Sequence, residues 1–301
     1  MIDQLITTAA RSTFGAKTRD HFAIIAVGGY GRAELHPQSD IDLLILFDDR
    51  PTTAAQDATG EFVRLLWDIG LEIGHSARTV TQCREHAMED LTNITSLMDA
   101  RLLLGNQRLL HSLNNAIQPT QMWPAIEFLT AKRAEQSNRY YRYGDTAYNL
   151  EPHLKEGPGG LRDLHMIGWI SQRALGALTI KDLSKNALLS PGEYRSLIRA
   201  RNLLWRMRNA LHFSTGRRED RLLFQHQREI ATAFGYRDTR SLAVEKLMKR
   251  YYRAARDIQL LSELLLQHFD QIIRPVSYTH LRAHDTEADL VCRHLLDKKK
   301  G

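Results

Sequence analysis

The 301-residue sequence holds only two cysteines, Cys83 and Cys292, with no metal-ligand spacing between them. A cysteine-built metal site or disulfide framework is therefore excluded, and a reducing cytoplasm is expected. No apolar run reaches the length of about 18 residues that a membrane helix needs, and the opening MIDQLITTAARS lacks the apolar centre of a signal peptide. A soluble chain with no membrane partner follows. Lys and Arg exceed Asp and Glu by 41 to 35, giving a net charge of +6, yet no dense arginine-lysine tract occurs. Nucleic acid therefore fits less well than a nucleotide or an acidic protein, and no nucleic-acid partner is expected. Internal repeats are also lacking. A hydrophobic content of 43% is enough for a buried core and, at this length, for two domains.

What is present centres on FAIIAVGGYGRAELHPQSDIDLLILF, residues 22–47. Phe22 to Val27 reads as a strand ending in a tight Gly28-Gly29-Tyr30-Gly31 loop, and a second strand begins at Asp40. Alternation on that strand puts Asp40 and Asp42 on one face and Ile41, Leu43, Ile45 and Phe47 on the other, so one face is chemistry and the other core. Two carboxylates on one face are easier to keep with a divalent cation between them. Magnesium takes one or two protein carboxylates and completes its shell with water and substrate phosphates. The glycines suit close approach of the backbone to a polyphosphate, with exposed amides forming an anion nest. A P-loop is excluded, because Gly31 is followed by Arg32-Ala33-Glu34 and not by Lys-Ser/Thr. A dinucleotide fingerprint is excluded too, because Glu34 stands where its third glycine belongs. The plain alternative is that Asp40 and Asp42 merely solvate a strand end.

The Gly-Gly turn, short spacer and Asp-hydrophobic-Asp resemble the DNA polymerase beta nucleotidyltransferase superfamily. The wording GGYGRAELHPQSDIDLL is more specific and resembles the nucleotidyltransferase domain of the bacterial PII-uridylyltransferase family. EPHLKEGPGGLRDLH, residues 151–165, resembles that family's helical domain. The resemblance implies an α+β fold: a polymerase beta-like domain with a small mixed sheet over residues 1–105, then an all-helical domain over 106–276. It implies transfer of UMP from UTP to a tyrosine of a PII signalling protein, with release of pyrophosphate. Magnesium, or alternatively manganese, would sit on Asp40 and Asp42. Gly28, Gly29, Gly31, Arg32, Ser39, Lys155 and Arg162 are the expected nucleotide contacts. Two other readings stay open: adenylyl transfer from ATP to glutamine synthetase, as in relatives, and a non-catalytic PII-binding fragment.

Along the rest of the chain, residues 1–14 read as a short helix, Ala54 to Ile69 as a second helix stopped by Gly70, and Leu71 to Thr79 as a third strand. Glu72 on that strand is either a third metal carboxylate or an ordinary exposed glutamate. Arg78 is a candidate phosphate contact, and His75 a structural histidine. From about residue 91 the pattern is helical throughout, over Leu97–Leu104, Gln107–Leu113, 123–143, 192–213, 222–234 and 240–270. Arg133, Arg139, Tyr140, Tyr141 and Arg142 read as the solvated basic face of an amphipathic helix. In the 151–165 block, the free amides of a helix starting near Leu161 are expected to attract an anion, flanked by Lys155 and Arg162. Glu156 and Asp163 are candidates to accept the proton of an attacking hydroxyl; alternatively Asp163 offsets the helix dipole and Arg162 makes an ion pair. Residues 277–301 resemble a translated adapter read-through and are set aside as a non-native tail, so the His284-Asp285 pair reads as accidental. The uridylyl-removing hydrolase and glutamine-sensing domains that the resembled family adds are accordingly expected to be missing.

Overall fold

The computed structural model describes residues 1–14, 21–48, 51–144, 146–176 and 179–274. The expectations placed on residues 277–301 and on Cys292, His284 and Asp285 lie outside the described residues.

Helix α1 (Ile2–Thr13) leads to strand β1 (Phe22–Ala26). Gly28–Gly31 then forms a single helical turn, α2, in place of the expected loop. Strand β2 (Ile41–Phe47), helix α3 (Thr53–Asp68) and strand β3 (Ile73–Thr79) follow. Helices α4 (Val80–Glu89) and α5 (Leu91–Met98) precede a fourth strand, β4 (Arg101–Gly105). The sequence reading of Leu97–Leu104 as helix is therefore corrected. Its leucine run satisfies either period, and pairing with β1 decides for the strand, with Ile24 opposite Leu104 and Ile25 opposite Leu102.

The sheet order is β3-β2-β1-β4, with β2 antiparallel to β1 and parallel to β3. Its central strands, β1 and β2, are buried on both faces. Ile41, Leu43, Ile45 and Phe47 pack with Ile6, Phe14 and Phe62 of one core, while Leu44 and Leu46 join Ile94 and Leu97 in the other. The expected division of β2 into a chemical face and a core face thus holds only at its first turn of pleat. Beyond Asp42 that face is core as well. Gly31 is needed at the sheet edge for close approach, because a Cβ there would sit 2.1 Å from the Asp99 carbonyl oxygen.

Helices α6 (Gln107–Ala116), α7 (Ala125–Tyr143), α8 (Leu161–Leu175), α9 (Ile180–Lys185), α10 (Pro191–Thr215), α11 (Phe224–Ala233) and α12 (Ala243–Ile273) complete the elements of the described residues. The architecture is α+β as expected, a small mixed sheet followed by helices. After Gly105 the described residues contain only one isolated bridge, His153 with Arg221. Helix α10 starts at a reciprocal cap: Ser190 Oγ accepts from the Glu193 amide, the Glu193 carboxylate accepts from the Ser190 amide, and Pro191 opens the first turn. In α12, Leu247, Tyr251, Ala255, Ile258, Leu265 and Phe269 recur at helical spacing and are buried. That stripe joins the helices to the Leu44 and Leu46 face of the sheet in one continuous core. Among the described residues no helix is long and apolar enough to cross a membrane.

Helix α7 departs from its expected role. Tyr141 is 84% exposed, but Arg139 is buried, and Tyr140 turns inward with it to bond Asp163 of α8. The expected solvated basic face is thus in part an internal polar seam.

Candidate active site

A cavity of about 250 Å³ opens where the first turn of β2 meets the helices. From the sheet side come Gly28, Gly29, Arg32, Ser39, Asp40 and Asp42. Lys155, Arg162, Arg208 and Arg218 face them from the helical side. Gly31 lies behind this wall against Asp99, so its part is packing and not ligand contact. The amides of Gly28, Gly29 and Tyr30 lie in the first turn of α2 and have no acceptor within it, whereas the Gly31 and Arg32 amides bond the Val27 and Gly28 carbonyls.

Asp42 is paired in register with Gly74 of the parallel neighbour β3. A Cβ at Gly74 would come 2.7 Å from Asp42 Oδ1, so the glycine makes room for the carboxylate. Burial, and then the charge of Asp40, push the Asp42 carboxyl above the usual carboxylate range. No donor among the described residues bonds it. Asp40 at the strand's edge pairs with Arg218, which reaches across from the loop after α10. An uncompensated carboxylate beside a second one, both lining a cavity, fits a hard divalent cation held by two protein ligands and completed by water and phosphate. Among the described residues no cluster of three or more His, Cys, Asp or Glu stands ready for a metal. Glu72 in particular is exposed, precedes β3 and does not line the cavity; only its backbone carbonyl acts locally, accepting from the Ile41 amide. The structure does not bring it to Asp40 and Asp42. His75 and Arg78 also lie outside the cavity lining, His75 packing edge-on against Trp67.

Arg32 lines the cavity but two of its nitrogens are committed. Its Nε donates to Glu34 at 3.1 Å and its Nη1 to Asp99. Glu34 also accepts from His165 Nε2 at 2.8 Å. Burial, reinforced by the nearby Arg32 charge, drops His165 to about 3, so it is a neutral donor. Burial alone would raise Glu34; the bonds from His165 and Arg32 hold it at about 2 instead. Asp99 is pushed by burial to about 6 even though Arg32 and the Trp169 indole donate to it. Trp169 itself is flanked by Arg32, Lys132 and Arg162, with cationic groups 4.7 to 5.7 Å from its ring centre. This network fixes the floor of the cavity.

The 151–165 block supplies Lys155 and Arg162 as the sequence suggests, but its amides are already used. Gly159 N donates to the Asp163 carboxylate, Gly160 N to the Gly157 carbonyl, Leu161 N to Leu154 and Arg162 N to Lys155. The expected anion site at the start of α8 is therefore filled by Asp163, which balances the helix terminus from within. Asp163 is fully buried and also accepts from Arg139, Tyr140 and Gln136. It is closed to an attacking hydroxyl. Glu156 is bound by Arg162 through two bonds and is likewise occupied. Lys155 is different: among the described residues its one ion pair is with Glu156, at 3.9 Å. Burial, and next the Arg162 charge, lower it to about 8.

Sequence reading does not find Asp99, His165, Trp169, Arg208 or Arg218, all of which line the cavity. The one available signal is the RRED cluster at 217–220 directly after the α10 stop. Asp220 there is buried and binds Arg208 at 2.5 Å and His212 at 3.1 Å. His36, on the sheet side, bonds Asn209 of the same helix at 2.6 Å. The two halves of the cavity are thus tied together by α10.

Comparison with known proteins gives two matches in chain order. Residues 14–91 match the nucleotidyltransferase domain family, and residues 127–266 the family described as GlnD PII-uridylyltransferase. Relatives named bifunctional uridylyltransferase/uridylyl-removing enzyme include one from Nitrosococcus oceani, 48% identical over 274 residues, or 91% of this chain and 31% of the relative. Those from Pseudomonas entomophila and Methylococcus capsulatus are 48% and 47% identical over 84% and 90% of this chain, and 28% and 31% of their own lengths. The chain therefore spans about three tenths of the relatives it matches. The sheet and the helices are thus matched in succession, with close to half of the aligned residues identical: the chain is similar to nucleotidyltransferases over residues 14–91 and to the PII-uridylyltransferase family over residues 127–266.

Proposed function

We propose that the chain transfers UMP from UTP to a tyrosine hydroxyl of a PII signalling protein, with residues 1–105 and 106–276 supplying the two walls of the cavity. The observation that carries this reading is the carboxylate of Asp42, without a hydrogen-bond partner among the described residues, beside Asp40 and facing Lys155 across the cavity. Asp40 and Asp42 would hold magnesium, or manganese in its place, which when bound lowers the pKa of an attacking hydroxyl and neutralises phosphate charge. Lys155 and the open amides of the Gly28 turn receive the triphosphate. The tyrosine hydroxyl gives its proton to solvent, its oxygen attacks the α-phosphorus, the bond from that phosphorus to the bridging oxygen breaks, and pyrophosphate leaves with the electron pair. No side chain forms a covalent intermediate; positioning and charge do the catalysis. The fixed Arg32-Glu34-Asp99 network keeps those positions from relaxing. Incubating the chain with labelled UTP or labelled ATP and a PII protein tests this. Label on PII from UTP is expected; label from ATP alone would favour adenylyl transfer, and no label from either would leave a binding role.

Lys155 makes the reading pH-sensitive. Its folded value of about 8 means that the free chain carries this charge at pH 7 and loses it above pH 8. Triphosphate affinity measured by calorimetry is therefore expected to fall as pH rises from 7 to 9. Lys155→Met should bind more weakly at pH 7 and show a flatter profile. An unchanged profile in that variant would place the titration elsewhere.

A further inference from the structure

Resting on the cation site just proposed, we propose that Arg218 is a transferable cation, holding Asp40 while no divalent ion is bound and passing to the triphosphate once the ion takes that carboxylate. Asp40 is the one partner that the described residues give Arg218, and Arg218 the one they give Asp40. Both side chains line the cavity, and they are about half exposed, at 50% and 43%. Ion pairs exposed to this degree contribute little to stability, so the exchange costs little.

The backbone just beyond Arg218 is held, while its half-exposed side chain has no partner but Asp40 among the described residues. Leu154 N donates to the Asp220 carbonyl and Leu222 N to the Pro152 carbonyl, each at 2.8 Å, with the bridge between His153 and Arg221 among them. Asp220 is anchored by Arg208 and His212. The loop with Arg218 is thus stitched to the loop with Lys155, and a released guanidinium stays beside that lysine. A metal-bound triphosphate is still an anion, and a guanidinium meets phosphate oxygens through paired donors where an ammonium offers a point charge. Arg208 cannot take this part, since Asp220 holds it through two bonds.

The two roles predict opposite effects of one change. With the apoprotein, manganese titrations followed by electron paramagnetic resonance should show Arg218→Ala binding the ion about two- to fivefold more tightly, because a competitor of ordinary surface-pair strength has gone. Calorimetry with α,β-methylene UTP and magnesium should show the same variant binding the nucleotide roughly tenfold or more weakly, the usual effect of losing a charged hydrogen-bonding group. Arg218→Lys should restore the competition with manganese but only part of the nucleotide affinity. If Arg218→Ala leaves manganese binding unchanged, or weakens both ligands together, the exchange is wrong. Asp40→Asn separates the two layers. It should weaken manganese binding, and if it does not, the cation site itself is misplaced, whatever Arg218 does.

Discussion

Asp42→Asn is expected to reduce nucleotidyl transfer by roughly two to four orders of magnitude, since stabilisation by a metal at developing charge amounts to several kcal/mol and each 1.4 kcal/mol is about tenfold in rate. The same substitution should not weaken the fold. In the folded chain the Asp42 carboxyl titrates above its unfolded value, because it is buried and faces Asp40. Its raised value means that the folded state binds the proton more readily, so stability falls as pH rises through the carboxylate range. Asparagine keeps the volume and removes that cost. At pH 7 with chelator present, the thermal midpoint of Asp42→Asn should equal or exceed that of the parent. A lowered midpoint would make Asp42 a structural residue, and full turnover at saturating magnesium would remove it from the cation site.

The second large effect concerns stability. Asp163 accepts from Gly159 N at 2.8 Å, Arg139 Nη2 at 2.6 Å, Tyr140 Oη at 2.7 Å and Gln136 Nε2 at 3.2 Å. Asp163→Ala strands a buried guanidinium together with a buried amide, and breaking a buried pair from one side costs about 3 to 5 kcal/mol. Urea denaturation should register a loss of that size. Removing both charges, as in Arg139→Met with Asp163→Leu, should recover part of it, since no ion is then left alone. A loss below about 1 kcal/mol in Asp163→Ala would mean that water replaces the carboxylate and that the seam between α7 and α8 is wetter than its burial indicates.

These two aspartates also show what could be read from sequence. Asp42 sits in an apolar strand at two-residue alternation from Asp40, a short spacer after a glycine turn, and both its face and its neighbour follow from local periodicity. Asp163 is equally conspicuous at the start of a helix, but whether it faces solvent, substrate or another helix depends on α7, which lies some twenty residues earlier in the chain. The pairing of Arg218 with Asp40 joins positions 178 residues apart, and no local pattern encodes it. Register had a similar effect at Glu72. Sequence puts that carboxylate on the neighbouring strand, but the residue opposite Asp42 is Gly74, and a shift of pairing is invisible to alternation. The α+β class was legible because its strands are short apolar runs and its long helices carry clear stripes; β4 was not, because three consecutive leucines fit both periods.

Gly74 bears on the order in which ligands arrive. By leaving β3 without a side chain at this point, it gives Asp42 room but withholds a third protein oxygen from any cation there. Affinity for hard cations rises with the number and charge of the ligands offered, so the bare chain grips such an ion loosely. A bound triphosphate would supply the missing oxygens. Were Asp40 and Asp42 to hold such an ion, ion and nucleotide would enter most readily as one complex. In steady-state terms, turnover should follow the concentration of metal-nucleotide complex and not that of free metal.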